Sequence, residues 1–110
     1  MKIYVVVVTY NAEKWIDKCF GSLKKSSVPL HVIAIDNAST DNTAALLEHD
    51  FSEVELIHNK KNIGFGRANN IGFKRALEDD ADFVFMLNQD AWIKPNTLEK
   101  LINIQHNNPE

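Results

Sequence analysis

Six consecutive apolar residues, Ile3-Tyr4-Val5-Val6-Val7-Val8, stand almost at the start of the chain. They do not alternate with polar residues. A strand with one wet face alternates, whereas a strand covered on both faces reads as an unbroken run. The run is too short to span a bilayer, which takes about 20 residues. It also lacks the long apolar stretch and small-residue cleavage site of a signal peptide. It therefore predicts a buried central strand, and a sheet with helices on both sides.

The rest of the chain supplies those helices in alternation. Trp15, Ile16, Cys19, Phe20 and Leu23 fall at helical spacing within residues 12–25, and Pro29 closes that helix. A second strand is read over 31–35 and runs into Asp36. Ser39 is the expected N-cap of a helix over 43–49. A third strand covers 54–58, a loop 59–66, an amphipathic helix 67–78 and a fourth strand 82–87. Asn96 with Glu99 three residues later resembles a capping box before a last helix carrying Leu98, Leu101 and Ile102. Strands alternating with helices argue for a mostly parallel sheet joined by right-handed crossovers.

Length and charge narrow the function. The 110 residues suit one small domain. With 45% hydrophobic and 25% charged residues the composition is that of a folded chain. The net charge of −3 lacks the basic footprint of a nucleic-acid binder. A single cysteine, Cys19, forms no internal disulfide and is read as a core thiol. The four histidines, at 31, 49, 58 and 106, show no metal spacing and are read as surface residues. Asp79-Asp80 is read as a solvated loop.

Parallel sheets bind ligands at the carboxyl ends of their strands. Thr9-Tyr10-Asn11 follows the first strand, Asp36-Asn37 the second, Asn59 and the loop 62–66 the third, and Asn88-Gln89-Asp90 the fourth. Every strand delivers polar residues to one edge. No Gly-rich dinucleotide fingerprint or P-loop follows the first strand, which also disfavours a nucleotidyltransferase. Several positions carry two readings. Asp36 accepts from a base or sugar hydroxyl, or it caps the next turn. Tyr10 stacks on a nucleobase, or it packs on the sheet edge. Gly64-Phe65-Gly66 lets a backbone approach a ligand ahead of an anion-favouring helix start, or it is a turn. Asn88 and Asp90 hold a hard cation, or they shape the turn before Trp92.

Four segments in this order closely resemble the family 2 glycosyltransferases, with rhamnosyltransferase-like members nearest. They are Val8-Thr9-Tyr10-Asn11, residues 35–41, residues 62–72, and Leu87-Asn88-Gln89-Asp90. The resemblance covers essentially the whole chain. It implies a Rossmann-like α/β three-layer sandwich, the N-terminal half of a GT-A fold, with residues 1–110 as the nucleotide-sugar-binding part of a larger catalytic domain cut after the last helix. It places Thr9, Tyr10, Asn11 and Asp36 at the nucleobase and ribose, and Asn62, Gly64, Arg67 and Asn69 along the nucleotide and sugar. The family's D-x-D metal motif reads Asn88-Gln89-Asp90 here, one carboxylate short. It leaves Asp90 as main ligand, helped by Asn88, for Mg²⁺ or Mn²⁺ on the diphosphate. The implied reaction is inverting transfer from a deoxythymidine- or uridine-diphosphate sugar to a saccharide or lipid-linked acceptor in bacterial cell-surface polysaccharide synthesis. The base is expected beyond Glu110, so the chain alone is expected to bind donor and transfer little. The implied setting is cytoplasmic, peripheral at the inner face of the membrane. The rival reading is a non-catalytic nucleotide-binding or dimerising module, a homodimer forming through exposed apolar surface or an edge strand.

Overall fold

The structure, a computed structural model, describes residues 1–107, with side chains to residue 105. Four strands form one sheet: β1 (Ile3–Thr9), β2 (His31–Asp36), β3 (Glu55–His58) and β4 (Phe83–Met86). Their spatial order is β3-β2-β1-β4, and every neighbouring pair is parallel. The apolar run is therefore central, and all seven residues of β1 are buried. The edge strands β3 and β4 are only half-buried, as strands with one neighbour are. Val6 of β1 pairs with Ile33 on one side and Met86 on the other.

Side-chain alternation along β1 divides the core into two faces. Val5 and Val7 meet Ile16, Cys19, Phe20 and Leu23 of α1 (Ile16–Lys24), Leu47 of α2 (Thr43–Asp50) and Leu98 of α4 (Thr97–Asn107). Tyr4, Val6 and Val8 meet Ala68 and Ala76 of α3 (Phe65–Glu78). The result is helix, sheet, helix, the predicted three layers. α3 lies close to the sheet because Gly72 carries no side chain. A Cβ there would overlap Val6 Cγ1 and stand 3.0 Å from Cγ2.

Several local expectations are corrected. The first helix is a 3₁₀ turn, Glu13–Trp15, followed by α1 from Ile16. Ser39 does not cap α2, which starts four residues later. Its N–H and hydroxyl both donate to Asp36. Asn42 stands at the N-cap without a side-chain bond, and Asp41, one residue earlier, accepts the Thr43 N–H on its Oδ1 at 3.0 Å. A buried carboxylate left without donors costs more than a bare helix start, so Ser39 serves Asp36. α3 begins two residues early because Gly64, at φ 90°, turns the chain into it. Glu99 completes no capping box, since its Oε1 accepts from Ser27 Oγ at 2.9 Å. Asp79 is no free loop acid. It accepts from the Tyr4 hydroxyl and from Lys2 Nζ, the latter at 3.2 Å. His31 stacks on Tyr4 with ring centroids 4.8 Å apart. The side chain of His106 lies outside the described residues.

Candidate functional site

All four strands run the same way, so their carboxyl ends meet at one edge. There a cleft of about 280 Å³ opens. Val8 and Tyr10 line it from the end of β1, Asn37 from the end of β2, and Asn62 and Phe65 from the approach and first turn of α3. Asn88, Gln89 and Asp90 line it from the end of β4. Val8 gives an apolar floor, while Tyr10 and Phe65 are about half exposed. Amides, one carboxylate and two aromatic rings thus converge on one space, the arrangement expected of a small-molecule site. Another pocket, of about 230 Å³, sits at the start of β2 and β3 and is lined mainly by apolar residues such as Phe20, Val28 and Leu30. It gathers none of the strand-end polar groups.

Of the ten residues singled out from the sequence, eight divide into two sets, and Arg67 and Asn69 stand apart from both. Tyr10, Asn62, Asn88 and Asp90 line the cleft directly. Thr9, Asn11, Asp36 and Gly64 build it from behind. Asp36 is buried and its Oδ1 accepts from Thr9 Oγ1 at 2.8 Å and Ser39 Oγ at 2.6 Å, while Oδ2 accepts from the Ser39 N–H at 3.1 Å. A carboxylate offers about four acceptor positions, so one remains, on Oδ2. Asn11, at φ 46°, ties the first loop to the second: its Oδ1 accepts from the Thr40 N–H at 2.8 Å. Gly64 donates its N–H to Asn62 Oδ1 at 2.8 Å, which holds the Asn62 side chain at the cleft wall. Arg67 is exposed on the first turn of α3 and does not line the cleft. Asn69 is buried, and neither polar atom of its amide has a partner among the described residues.

The structure adds three residues that the sequence reading left out of the site. Asn37 is 2% exposed and staples the end of β2 to the loop between β3 and α3. Its Nδ2 donates to the Gly64 carbonyl at 3.2 Å, and its Oδ1 accepts from Asn59 Nδ2 at 3.0 Å and the Ile63 N–H at 3.3 Å. Phe65 is an exposed aromatic between two glycines, a signal the sequence did carry. Gln89 lies in the middle of the Asn88–Asp90 motif, and its side-chain amide bonds the backbone of Tyr10. No residue spacing could have shown that pairing.

Two features favour an anionic ligand. No side chain caps α3, and its first turn holds no acid. A bare helix start with free N–H groups attracts negative charge. Among the described residues Asp90 is the one carboxylate that lines the cleft. Among the described residues no three His, Cys, Asp or Glu side chains gather into a metal cage. One carboxylate and the amide oxygen of Asn88 suit a hard cation that takes its other oxygens from a bound diphosphate and water, as Mg²⁺ commonly does. Beneath the turn, burial first and the Asp90 charge second push the Cys19 thiol up to about 12, so it stays protonated. Its Sγ lies 3.7 Å from the Asn88 carbonyl oxygen. No helix among the described residues is long and apolar enough to cross a membrane.

Comparison with known proteins identifies the family and the fold. The family model described as "Glycosyl transferase family 2" matches residues 4–110. The chain is 31% identical over 105 residues to the poly(ribitol-phosphate) beta-N-acetylglucosaminyltransferase TarS of Staphylococcus aureus, covering 90% of this chain and 18% of that protein. It is 33% identical over 100 residues to the dTDP-rhamnosyl transferase RfbF of Shigella flexneri, covering 90% of this chain and 33% of that protein. The crystal structure of S. aureus TarS 1–349 in complex with UDP-GlcNAc superposes with a TM-score of 0.85 at 29% identity, over 97% of this chain and 32% of that one. The chain thus spans a third or less of each of these proteins. Its parallel sheet flanked by helices is the Rossmann-like α/β arrangement of GT-A glycosyltransferase structures such as TarS.

Proposed function

This chain belongs to glycosyl transferase family 2, and we propose that its cleft is the nucleotide-sugar donor site of an inverting glycosyltransferase. The observation that carries the proposal is the convergence of Tyr10, Phe65, Asn62, Asn88 and Asp90 on one cleft at the carboxyl edge of the sheet. Nucleobase and ribose lie against Tyr10, with the remaining acceptor of Asp36 turned to a base N–H or ribose hydroxyl. Thr9 and Asn11 hold that wall in place. The diphosphate lies toward the start of α3 and Asp90, with Arg67 at the rim. Asn62, Gly64 and Asn69 shape the sugar end. Relatives named for UDP-GlcNAc and dTDP-rhamnose chemistry support a uridine or deoxythymidine diphosphate donor.

Transfer breaks the bond between the anomeric carbon and the diphosphate oxygen, and the leaving diphosphate gains negative charge. Groups placed where that charge develops lower the barrier. In this chain those groups are the N–H donors of the first turn of α3 and Arg67. Asp90 and Asn88 would hold a divalent cation, Mg²⁺ or Mn²⁺, which supplies Lewis-acid stabilisation of the diphosphate without proton transfer. Removing the acceptor proton needs a base, and no residue of the cleft is assigned that part. The 110 residues are therefore read as the donor-binding part of a transferase that acts on saccharide or lipid-linked acceptors in cell-surface polysaccharide synthesis, at the cytoplasmic face of the membrane. A second reading, self-association, is favoured by the exposure of Met86, Leu101 and Ile104.

The test is calorimetric titration of UDP and dTDP into the chain with Mg²⁺ or Mn²⁺. Saturable binding is expected for at least one of them, weakened at least tenfold in Asp90→Ala. Absence of binding by every nucleotide under these conditions overturns the proposal.

A further inference from the structure

We infer that Gln89 is a positioning residue that couples the two ends of the cleft, so that a nucleoside at Tyr10 and a metal pyrophosphate at Asp90 bind cooperatively. The inference rests on the donor-site reading above.

Tyr10 and Gln89 are 79 positions apart, yet they are joined twice. The Tyr10 N–H donates to Gln89 Oε1 at 2.8 Å, and Gln89 Nε2 donates to the Tyr10 carbonyl at 3.2 Å. A side-chain amide presents a donor and an acceptor side by side. Bonded through both, it fixes orientation as well as distance. The place of this clamp matters. The β1–β4 ladder runs from Ile3 and Phe83 to Val6 and Met86, and one further bond joins the Leu87 N–H to the Val6 carbonyl at 3.1 Å. Beyond that the two strands and their extensions share no backbone bond among the described residues. The Gln89 amide takes over where the ladder stops.

The turn that carries Asp90 is held from its other side by α1. Cys19 Sγ approaches the Asn88 carbonyl, the Ile93 N–H donates to Ser22 Oγ at 3.1 Å, and Lys18 Nζ lies 3.9 Å from the Trp92 ring centroid. The turn is thus pinned at 88, 92 and 93, and its link to β1 is the side chain between the two candidate cation ligands. Asn88 and Asp90 are exposed to the cleft while Gln89 is half-buried between them. A ligand that fixes the Tyr10 backbone therefore fixes the position of Asp90, and the converse holds because linkage of binding free energies is reciprocal.

The probes are uridine, which reaches only the nucleoside end, and manganese pyrophosphate, which reaches only the phosphate end. Pyrophosphate is titrated by calorimetry in the absence and presence of saturating uridine. In the native chain uridine is expected to tighten pyrophosphate by about fivefold or more, the lower bound of ordinary coupling. In Gln89→Leu the ratio is expected to fall to near one, even where both ligands still bind. Amide resonances of residues 88–91 shift on uridine addition in the native chain and stay in place in Gln89→Leu. Gln89→Glu keeps the acceptor for the Tyr10 N–H and loses the donor, and gives an intermediate ratio. That variant also serves if Gln89→Leu fails to fold. A ratio in the variants equal to the native one overturns the inference, as does a native chain that binds both probes independently. A native chain that binds neither nucleotide nor pyrophosphate overturns the donor-site reading itself, and the inference falls with it.

Discussion

Asp79 shows how a single side chain can change its meaning between sequence and fold. It sits in an acidic pair that reads as loop, yet it receives the Tyr4 hydroxyl and Lys2 Nζ across the start of β1. The Tyr4 hydrogen bond first, and that from Lys2 second, hold its carboxyl below the ordinary range. Tyr4 moves the opposite way: burial first, then the bond to Asp79, raise its phenol above the usual value. The signs give two pH limits. A carboxyl lowered on folding adds stability that is present above its unfolded value of about 3.9 and is lost as pH falls through the folded value. A phenol raised on folding adds stability that is present below about 10 and is lost as pH rises through the folded value. Denaturant midpoints measured from pH 2 to 11 should therefore be flat near neutrality and fall at both ends. In Tyr4→Phe the alkaline fall should shrink, and the acid fall should shrink in part because Lys2 still holds Asp79.

At the scale of elements, the contact between α3 and β1 leaves no room for a side chain at Gly72. Gly72 faces Val6, which is fully buried. Overpacking a filled core costs about 1–3 kcal/mol. Gly72→Val is expected to lose that much in urea unfolding. Gly21 of α1 is the matched control, since nothing lies within 4 Å of a Cβ built there. Gly21→Ala is expected to gain up to about 1 kcal/mol from helix propensity alone. The elements themselves were legible. The β-branched run and the spacing of Ile16, Cys19, Phe20 and Leu23 dictate burial, and burial fixed both strand and helix. The caps were not. Ser39, Asp41 and Glu99 each had several backbone groups within reach. The choice among them was made by Asp36 and Ser27, which the fold brings close.

For the whole molecule, the radius of gyration of 13.7 Å is close to the roughly 13 Å expected of a folded domain this size. The described residues thus pack as a unit while the chain matches a third or less of TarS and RfbF. Met86 and Leu101 border an apolar pocket of about 120 Å³ between β4 and α4. With Ile104 they stand 52%, 44% and 59% exposed. Large apolar patches on a monomer mark contact surfaces. Light scattering at two widely spaced concentrations should show a mass that rises with concentration, and Leu101→Lys with Ile104→Lys should abolish the rise. A constant monomer mass would remove self-association as a reading. The site was legible to a similar degree. Which edge holds the cleft follows from parallel strands, so Tyr10, Asn62, Asn88 and Asp90 could be named in advance. That Asn11 and Asp36 support the walls, and that Gln89 reaches Tyr10, depends on side-chain directions fixed only when distant segments meet.

Asparagine is the commonest residue of the chain, and at this edge much of it is spent on cross-ties. Asn11, Asn37, Asn59 and Asn62 bond loop backbone or one another, and Gln89 does the same. Amides do not titrate, and their bonds are little screened by salt. The shape of the cleft is thereby separated from its charge, which among the described lining residues is Asp90 alone. Changes of ionic strength act on how strongly the cleft attracts a charged ligand and leave its outline as it was.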